Sequence, residues 1–220
     1  LAVLLALVAR RFLGTLAVFS AVGVYAHAPG APVTESGKYV DSVFNVVSIM
    51  TGTGYATSAY DVWSPMAVSL FFILMFIGGC SGSTSCGIKI FRFQVLFQGL
   101  RQKIRLMFHP HGVFLETYNG RPLSQEVISA VTTFFFMYIG AFAVIAILLE
   151  LIGLDTISAI SGAATALCNV GPALGETIGP ASNFASLPDS AKWVLSVAKL
   201  IGRLELFAVL VLILPAFWLS

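Results

Sequence analysis

The stretch Ser48-Ile49-Met50-Thr51-Gly52-Thr53-Gly54-Tyr55-Ala56 sets small residues and Thr in alternation before an aromatic, a pattern that builds neither a strand nor a helix interior. A short apolar run, Tyr39 to Met50, leads into alternating Thr and Gly, and a long apolar segment follows from Val62. Glycine frees φ, so successive carbonyls can point the same way. In a membrane, irregular backbone is tolerated only where protein buries it or where it lines a watery path. The chemistry open to such a stretch is cation coordination by backbone carbonyls that replace a hydration shell. A plain glycine-rich turn between helices competes with that reading.

A second candidate is Gly78-Gly79-Cys80-Ser81-Gly82-Ser83-Thr84-Ser85-Cys86-Gly87. It follows the apolar run Val62 to Ile77 directly, and Ile88-Lys89-Ile90-Phe91-Arg92 resumes behind it. Small residues in this density make a poor helix. The pattern is a spanning helix broken by an intramembrane loop. Arg203, in Lys199-Leu200-Ile201-Gly202-Arg203-Leu204-Glu205, is a third candidate. A charge near mid-span is expensive and marks a functional site by default. Glu205 is two residues away and cannot face it on a helix. Gly202 permits close approach of another backbone. The expectation is that Arg203 lies buried beneath the filter and hydrogen-bonds carbonyls of the Gly78–Gly87 loop, with its five N–H donors, as a gate.

The elements that must position these residues follow from composition. Of 220 residues 58% are hydrophobic and 10% charged, with mean hydropathy +0.93; a soluble domain carries roughly 25% charged residues. The chain is an integral membrane protein. Its net charge of +2 follows topology and gives no ground for a nucleic-acid partner. Cys80, Cys86 and Cys168 lie in or beside apolar segments and form neither a disulfide framework nor a metal site. The first residues lack a signal-peptide layout, and the chain reads as a piece that starts inside a longer protein.

Hydropathy predicts a helix from Arg11 to Ala28, the half-length segment Tyr39 to Met50, a span from Val62, and a polar connection from Arg92 to Pro122. Asn119-Gly120 is a hairpin signal within that connection. His109-Pro110-His111 is a loop feature, since no third metal ligand lies near. A clean span follows from Val127 to Ile152. Asp155 is a good N-cap for a short helix, Thr156 to Cys168. Asn169-Val170-Gly171-Pro172 comes next, and the last helix runs from Ser190 to Leu219.

The order of span, short helix, glycine turn and span occurs twice, with Gly54 and Gly171 at the same place in each unit. Repeats of this kind define architecture. The predicted fold is all-α integral membrane: tandem helix–pore loop–helix units with one broken transmembrane helix. The first unit is residues 1–107, broken at 78–87; a cytoplasmic loop, 108–125, joins it to the second, 126–220. Lys89 to Gln125 holds six basic residues and one acidic, which makes it cytoplasmic and puts both filter loops outside. Glu35, Asp41, Asp61, Glu176 and Asp189 against Lys38 and Lys192 would concentrate cations at that mouth. The half-helices would aim their negative C-terminal ends at the membrane centre.

Together, Thr51-Gly52-Thr53-Gly54-Tyr55-Ala56, Gly78 to Lys89, Asn169 to Gly175 and Gly202-Arg203-Leu204-Glu205 resemble the Trk/Ktr/HKT superfamily of potassium transporters, most closely the bacterial TrkH-type membrane subunit. His109-Pro110 followed by Asn119-Gly120-Arg121-Pro122 is similar to that family's connecting loop. The resemblance implies four pore-loop units around one pore, of which this chain holds the third and fourth. It implies a K+ filter at Gly52, Thr53, Gly54, Tyr55, Asn169, Val170, Gly171 and Pro172, the transported K+ being the only metal. Gly78, Gly79, Ser81, Gly82, Ser83, Thr84, Gly87, Lys89 and Arg203 would form the gate. Cys86 and Cys168 depart modestly from the family pattern. The implied partners are membrane lipid, the missing N-terminal half of the subunit, a second copy in a homodimer, and a cytosolic nucleotide-binding regulatory subunit of the TrkA type. The implied location is a bacterial inner membrane. Glycine in both visible units favours K+ over Na+, a Na+-permeable member being one alternative, and passive channel against proton-coupled symport stays open. The other alternative is an intramembrane serine protease of the rhomboid kind, from the G-x-S-G pattern at Gly79-Cys80-Ser81-Gly82. It lacks a base, since His27 lies at the wrong end of its helix and His109 and His111 are in the polar loop.

Overall fold

Six helices, numbered here in chain order, carry the architecture of the computed structural model, which describes residues 35–79, 83, 85–109, 112, 117–118, 121–175 and 177–204, with 14–15 and 18–19. They are α1 (Glu35–Thr51), α2 (Pro65–Phe76), α3 (Ile90–Phe108), α4 (Gln125–Leu151), α5 (Thr156–Cys168) and α6 (Asp189–Arg203). The predicted first span, Arg11 to Ala28, falls almost wholly outside the described residues.

Local chemistry sets the helix starts. Ser64 accepts from the Ala67 amide at 3.1 Å with Pro65 behind it. Ser124 accepts from Val127 at 3.4 Å and Asp155 from Ser158 at 3.0 Å. Each is a side-chain oxygen taking one of the orphan N–H groups of a helix start. The α5 helix, with 13 residues, is about 20 Å long at 1.5 Å per residue, short of the ~30 Å hydrocarbon core. By contrast, the 27 residues of α4, with a window of mean hydropathy 2.4, are long and apolar enough to cross a membrane, the only such helix among the described residues.

The first inner helix is broken as predicted, but in a more ordered way. After α2 the chain forms β1 (Ile77–Gly78), and before α3 it forms β2 (Ile88–Lys89); the two pair in parallel, Ile77 with Ile88 and Gly78 with Lys89. The chain therefore leaves the helix line, loops, and rejoins it in the same direction. Glycine is required at the pinch: a Cβ on Gly78 would lie 2.5 Å from the Cys86 carbonyl oxygen.

Two predicted boundaries are corrected. The half-length segment of the first unit starts at Glu35, before Tyr39. The stretch from Arg92, read as a polar connection, is helical to Phe108. Its Arg, Lys and Gln residues are good helix formers, and basic charge reports the side of the membrane, not the backbone conformation. The last helix is described only to Arg203, so its predicted extension to Leu219 lies outside the described residues. The hairpin at Asn119-Gly120 is bracketed as expected by β3 (Thr117–Tyr118) and β4 (Arg121–Pro122), which pair antiparallel.

Helix α5 packs against α6, α4 and α2, so the second short helix is surrounded by its own unit and by the first. Its face of Ala159, Gly162, Ala163, Ala164 and Ala166 is buried; small residues let helices approach closely in a membrane. Outside that contact, Tyr60 stacks on Phe71 at 4.1 Å between centroids, with Trp63 edge-on to Phe71 at 5.9 Å.

Candidate functional site

The two glycine turns end their helices in the same way. In the first unit the Gly52 amide donates to the Ile49 carbonyl at 3.1 Å and the Thr53 amide to the Ser48 carbonyl at 2.9 Å. In the second, Asn169 donates to Ala166 at 3.2 Å and Val170 to Thr165 at 3.1 Å. These are the paired bonds of a Schellman cap, whose pivot residue is left-handed. Gly52 has φ +74 and Asn169 φ +52, the latter being the one non-glycine residue with positive φ among the described residues. Asparagine tolerates that basin better than most side chains. Here its amide also donates to the Lys199 carbonyl of α6 at 2.9 Å.

Beyond the caps the two turns meet. A Cβ on Gly54 would collide with the Val170 carbonyl oxygen and lie 3.2 Å from Pro172 Cδ. A Cβ on Gly171 would lie 3.7 Å from the Gly54 Cα. The predicted partners Gly52, Thr53, Gly54 and Asn169, Val170, Gly171, Pro172 thus form two adjoining walls of bare backbone. Tyr55 belongs to the same turn, but it is 72% exposed.

The polar residues that hold these walls were missed in sequence. Buried Asn45 donates to Asp41 O at 2.8 Å and Thr57 Oγ1 at 3.0 Å, and accepts from the Thr57 amide at 3.2 Å. Ser161 Oγ accepts from the Leu174 amide at 3.1 Å. Thr165 Oγ1 accepts from the Gly171 amide at 3.0 Å. A polar residue inside a short apolar helix beside a glycine turn is the signal that could have found each of them, because a buried polar group needs a partner.

Beneath the walls lies a cavity of about 220 Å³ whose lining includes Ser83, Cys86, Gly87, Lys89, Leu167 and Arg203. The predicted gate loop and the predicted arginine therefore share one cavity. The hydrogen bond described from Arg203 Nη1 goes to the Cys86 thiol, 3.6 Å away. One detail is corrected: Arg203 is exposed in this chain, not buried. Loop order comes from the Gly79 amide donating to Ser85 Oγ at 2.9 Å, with Ser83 and Ser85 hydroxyls 2.7 Å apart. Ser81, Gly82 and Thr84 lie outside the described residues. Arg92 sits over the Phe134 ring at 3.8 Å, and Tyr138 OH meets Cys168 Sγ at 3.0 Å.

The acids that flank the two turns differ. Burial holds the Asp61 carboxyl above its ordinary range, although the backbone amides of Asp61, Val62 and Gly175 act against this. Asp155 is held below its ordinary value by its Ser158 hydrogen bonds. Asp189 pairs with Lys192 at 3.2 Å in solvent, an arrangement worth little. The Glu35 side chain and Glu176 lie outside the described residues. His109 ends α3, a full helix away from Gly79, so the serine protease alternative gains no base; Ser81 and His111 are outside the described residues.

Two half-length helices whose capped ends converge on bare backbone, above a cavity crossed by a broken helix, define a membrane pore-loop protein. The TrkH cation transport protein family matches residues 6–218, and the chain belongs to that family. The chain is similar to the Trk system potassium uptake protein TrkI of Halomonas elongata, 51% identical over 92% of this chain and 41% of that protein. It is also similar to TrkH of Vibrio parahaemolyticus, 42% identical over 81% of this chain and 36% of that one. Among solved structures it matches the crystal structure of the potassium transporter TrkH from Vibrio parahaemolyticus, with TM-score 0.85 and 34% identity over 95% of this chain and 44% of that chain. The chain thus spans less than half the length of these relatives. None of them supports a protease reading.

Proposed function

We propose that this chain supplies two of the walls of a K+ pathway through which a membrane subunit takes potassium into the cell. The single observation that carries the reading is the convergence of two identically capped turns, with the Val170 carbonyl lying against Gly54. Carbonyl oxygens in such a turn can stand in for a hydration shell, and the negative ends of α1 and α5 favour a cation there. Gly52, Thr53, Gly54, Tyr55, Asn169, Val170, Gly171 and Pro172 are the filter, and K+ is the transported ion. The unit 1–107 and the unit 126–220 are joined by the connection 108–125, and the remaining walls come from the length by which the relatives exceed this chain. The loop at 78–87 with Lys89 and Arg203 is the gate. The subunit works as a homodimer in a bacterial inner membrane, under a cytosolic nucleotide-binding regulatory subunit of the TrkA type. The test is uptake of radioactive Rb+ against Na+ by the full-length subunit in liposomes, with Gly54→Ser and Gly171→Ser. Both variants lose preference for Rb+; unchanged selectivity in both refutes the filter assignment.

A further inference from the structure

The paired backbone cap bonds of the two filter walls match, but the next amide along the chain is held differently. In the second wall, two acceptors on Thr165 share the work: its carbonyl takes the Val170 amide at 3.1 Å and its hydroxyl takes the Gly171 amide at 3.0 Å. Ser48 holds the corresponding place in the first wall. Its carbonyl takes both amides, Thr53 at 2.9 Å and Gly54 at the longer 3.3 Å. Ser48 is 4% exposed, and its buried hydroxyl has no hydrogen-bond partner among the described residues. A buried hydroxyl without a partner is costly, and here it sits on the residue that already holds the filter turn.

The peptide unit is rigid and planar, so the Gly54 amide and the Thr53 carbonyl turn together. Moving the Gly54 N–H from the Ser48 carbonyl to the Ser48 hydroxyl therefore reorients the Thr53 carbonyl. The Gly171 amide and the Val170 carbonyl are linked in the same way. The glycine torsions differ accordingly, φ +78 at Gly54 and φ +120 at Gly171.

We propose that Ser48 and Thr165 are the positioning hydroxyls of the two filter walls, and that a bound monovalent cation draws the Gly54 amide onto the Ser48 hydroxyl, the arrangement the second wall already has. The cation selects it because a ring of carbonyls coordinates best when adjacent walls present their oxygens alike. A ligand shifts an equilibrium only by its differential affinity for the two states, so the Ser48 hydroxyl tunes the concentration at which K+ occupies the filter. It does not set the maximal rate, which belongs to the gate below. The inference rests on the filter reading above.

The experiment is Rb+ uptake by the full-length subunit in liposomes, titrated with K+, with Ser48→Ala, Ser48→Thr, Thr165→Val and Thr165→Ser. Removing one hydrogen bond is worth about 2- to 10-fold in affinity. Ser48→Ala raises the half-saturating concentration by that factor at unchanged maximal rate, and Ser48→Thr restores it. Thr165→Val, which deprives the Gly171 amide of its acceptor, raises half-saturation and lowers Rb+ preference over Na+, while Thr165→Ser keeps both near wild type. Wild-type half-saturation in Ser48→Ala overturns the proposal, as does a fall in maximal rate alone. If Ser48→Ala does not yield folded subunit, Ser48→Cys is titrated instead; its weaker acceptor raises half-saturation, and a wild-type value overturns the proposal equally. Gly54→Ser separates the two ideas: if it abolishes selectivity while every Ser48 variant behaves as wild type, the filter stands and the hydroxyl role falls.

Discussion

Gly202→Ala is the sharpest test of how the second pore loop is held. The added Cβ would run into the Leu167 carbonyl oxygen and would lie 2.7 Å from the Leu167 carbon and 3.1 Å from Asn169 Nδ2. Carbon atoms prefer about 3.5–4.0 Å, and two of the three contacts are backbone, so no rotamer relieves them. Helix α6 must move about 1 Å away from the end of α5. Overpacking of this kind costs about 1–3 kcal/mol. The same shift stretches the Asn169 to Lys199 bond, now 2.9 Å, and its loss adds about 0.5–1.5 kcal/mol. Alanine returns about 0.8–1.0 kcal/mol through helix propensity. The net loss is about 0.5–4 kcal/mol, and it falls on Asn169, the pivot of the second glycine turn. Thermal unfolding of the purified full-length subunit will report the stability loss, and Rb+ against Na+ uptake will report reduced selectivity. Gly140→Ala is the control, since nothing lies within 4 Å of its Cβ position; it is neutral or stabilising. Equal behaviour of the two variants would refute the reasoning.

Three further outcomes follow from the gate and the mouth. Arg203→Gln removes the charge that reaches Cys86 and raises uptake by freeing the loop; flux equal to wild type in liposomes would remove Arg203 from the gate. Asp155→Ala removes the α5 cap and lowers thermal stability by about 0.5–2 kcal/mol at neutral pH. The Asp155 carboxyl titrates below its ordinary value, so this stabilisation is complete above the unfolded pKa and is lost only as pH falls through the folded one; the variant therefore converges on wild type in strong acid. Asp61 has the opposite sign: its raised pKa means that folding favours the protonated form, so its contribution declines as pH rises from the unfolded pKa through the folded one. Asp61→Asn flattens that part of the pH dependence of melting, and an unchanged slope would show that burial of Asp61 has no such effect.

What sequence could reveal here depended on whether a feature is local. The short helix Thr156 to Cys168 was legible to the residue, because Asp155 caps it and a glycine turn closes it. The break after Ile77 was legible from glycine density alone. Helix α3 was not, because the reading treated its cations as marks of a loop, although nothing from Ile90 to Phe108 breaks a helix except Gly99. The parallel β1–β2 pair was invisible for a different reason. Two-residue strands have no periodicity, and their pairing exists only because the chain returns to the same place. The supports of the two glycine turns, Asn45, Ser161 and Thr165, are polar residues whose partners lie across a turn, so only the folded chain identifies them. The contact between Arg203 and Cys86 likewise spans the two units and leaves no local trace.

Gly202 and Arg203, on consecutive residues, join the end of α5 to the loop that interrupts the first inner helix. Gly202 rests on the Leu167 carbonyl, at the end of the helix that carries Asn169. Arg203 reaches Cys86 in the loop that interrupts the first inner helix. A helix turns about 100° per residue, so these neighbours face different directions, one towards the filter and one towards the cavity. A rigid movement of α6 that withdraws Arg203 from the loop also changes the Gly202–Leu167 contact, since protein interiors are too densely packed to absorb the displacement. The contact with the loop and the geometry of the second glycine turn are thus linked through one helix.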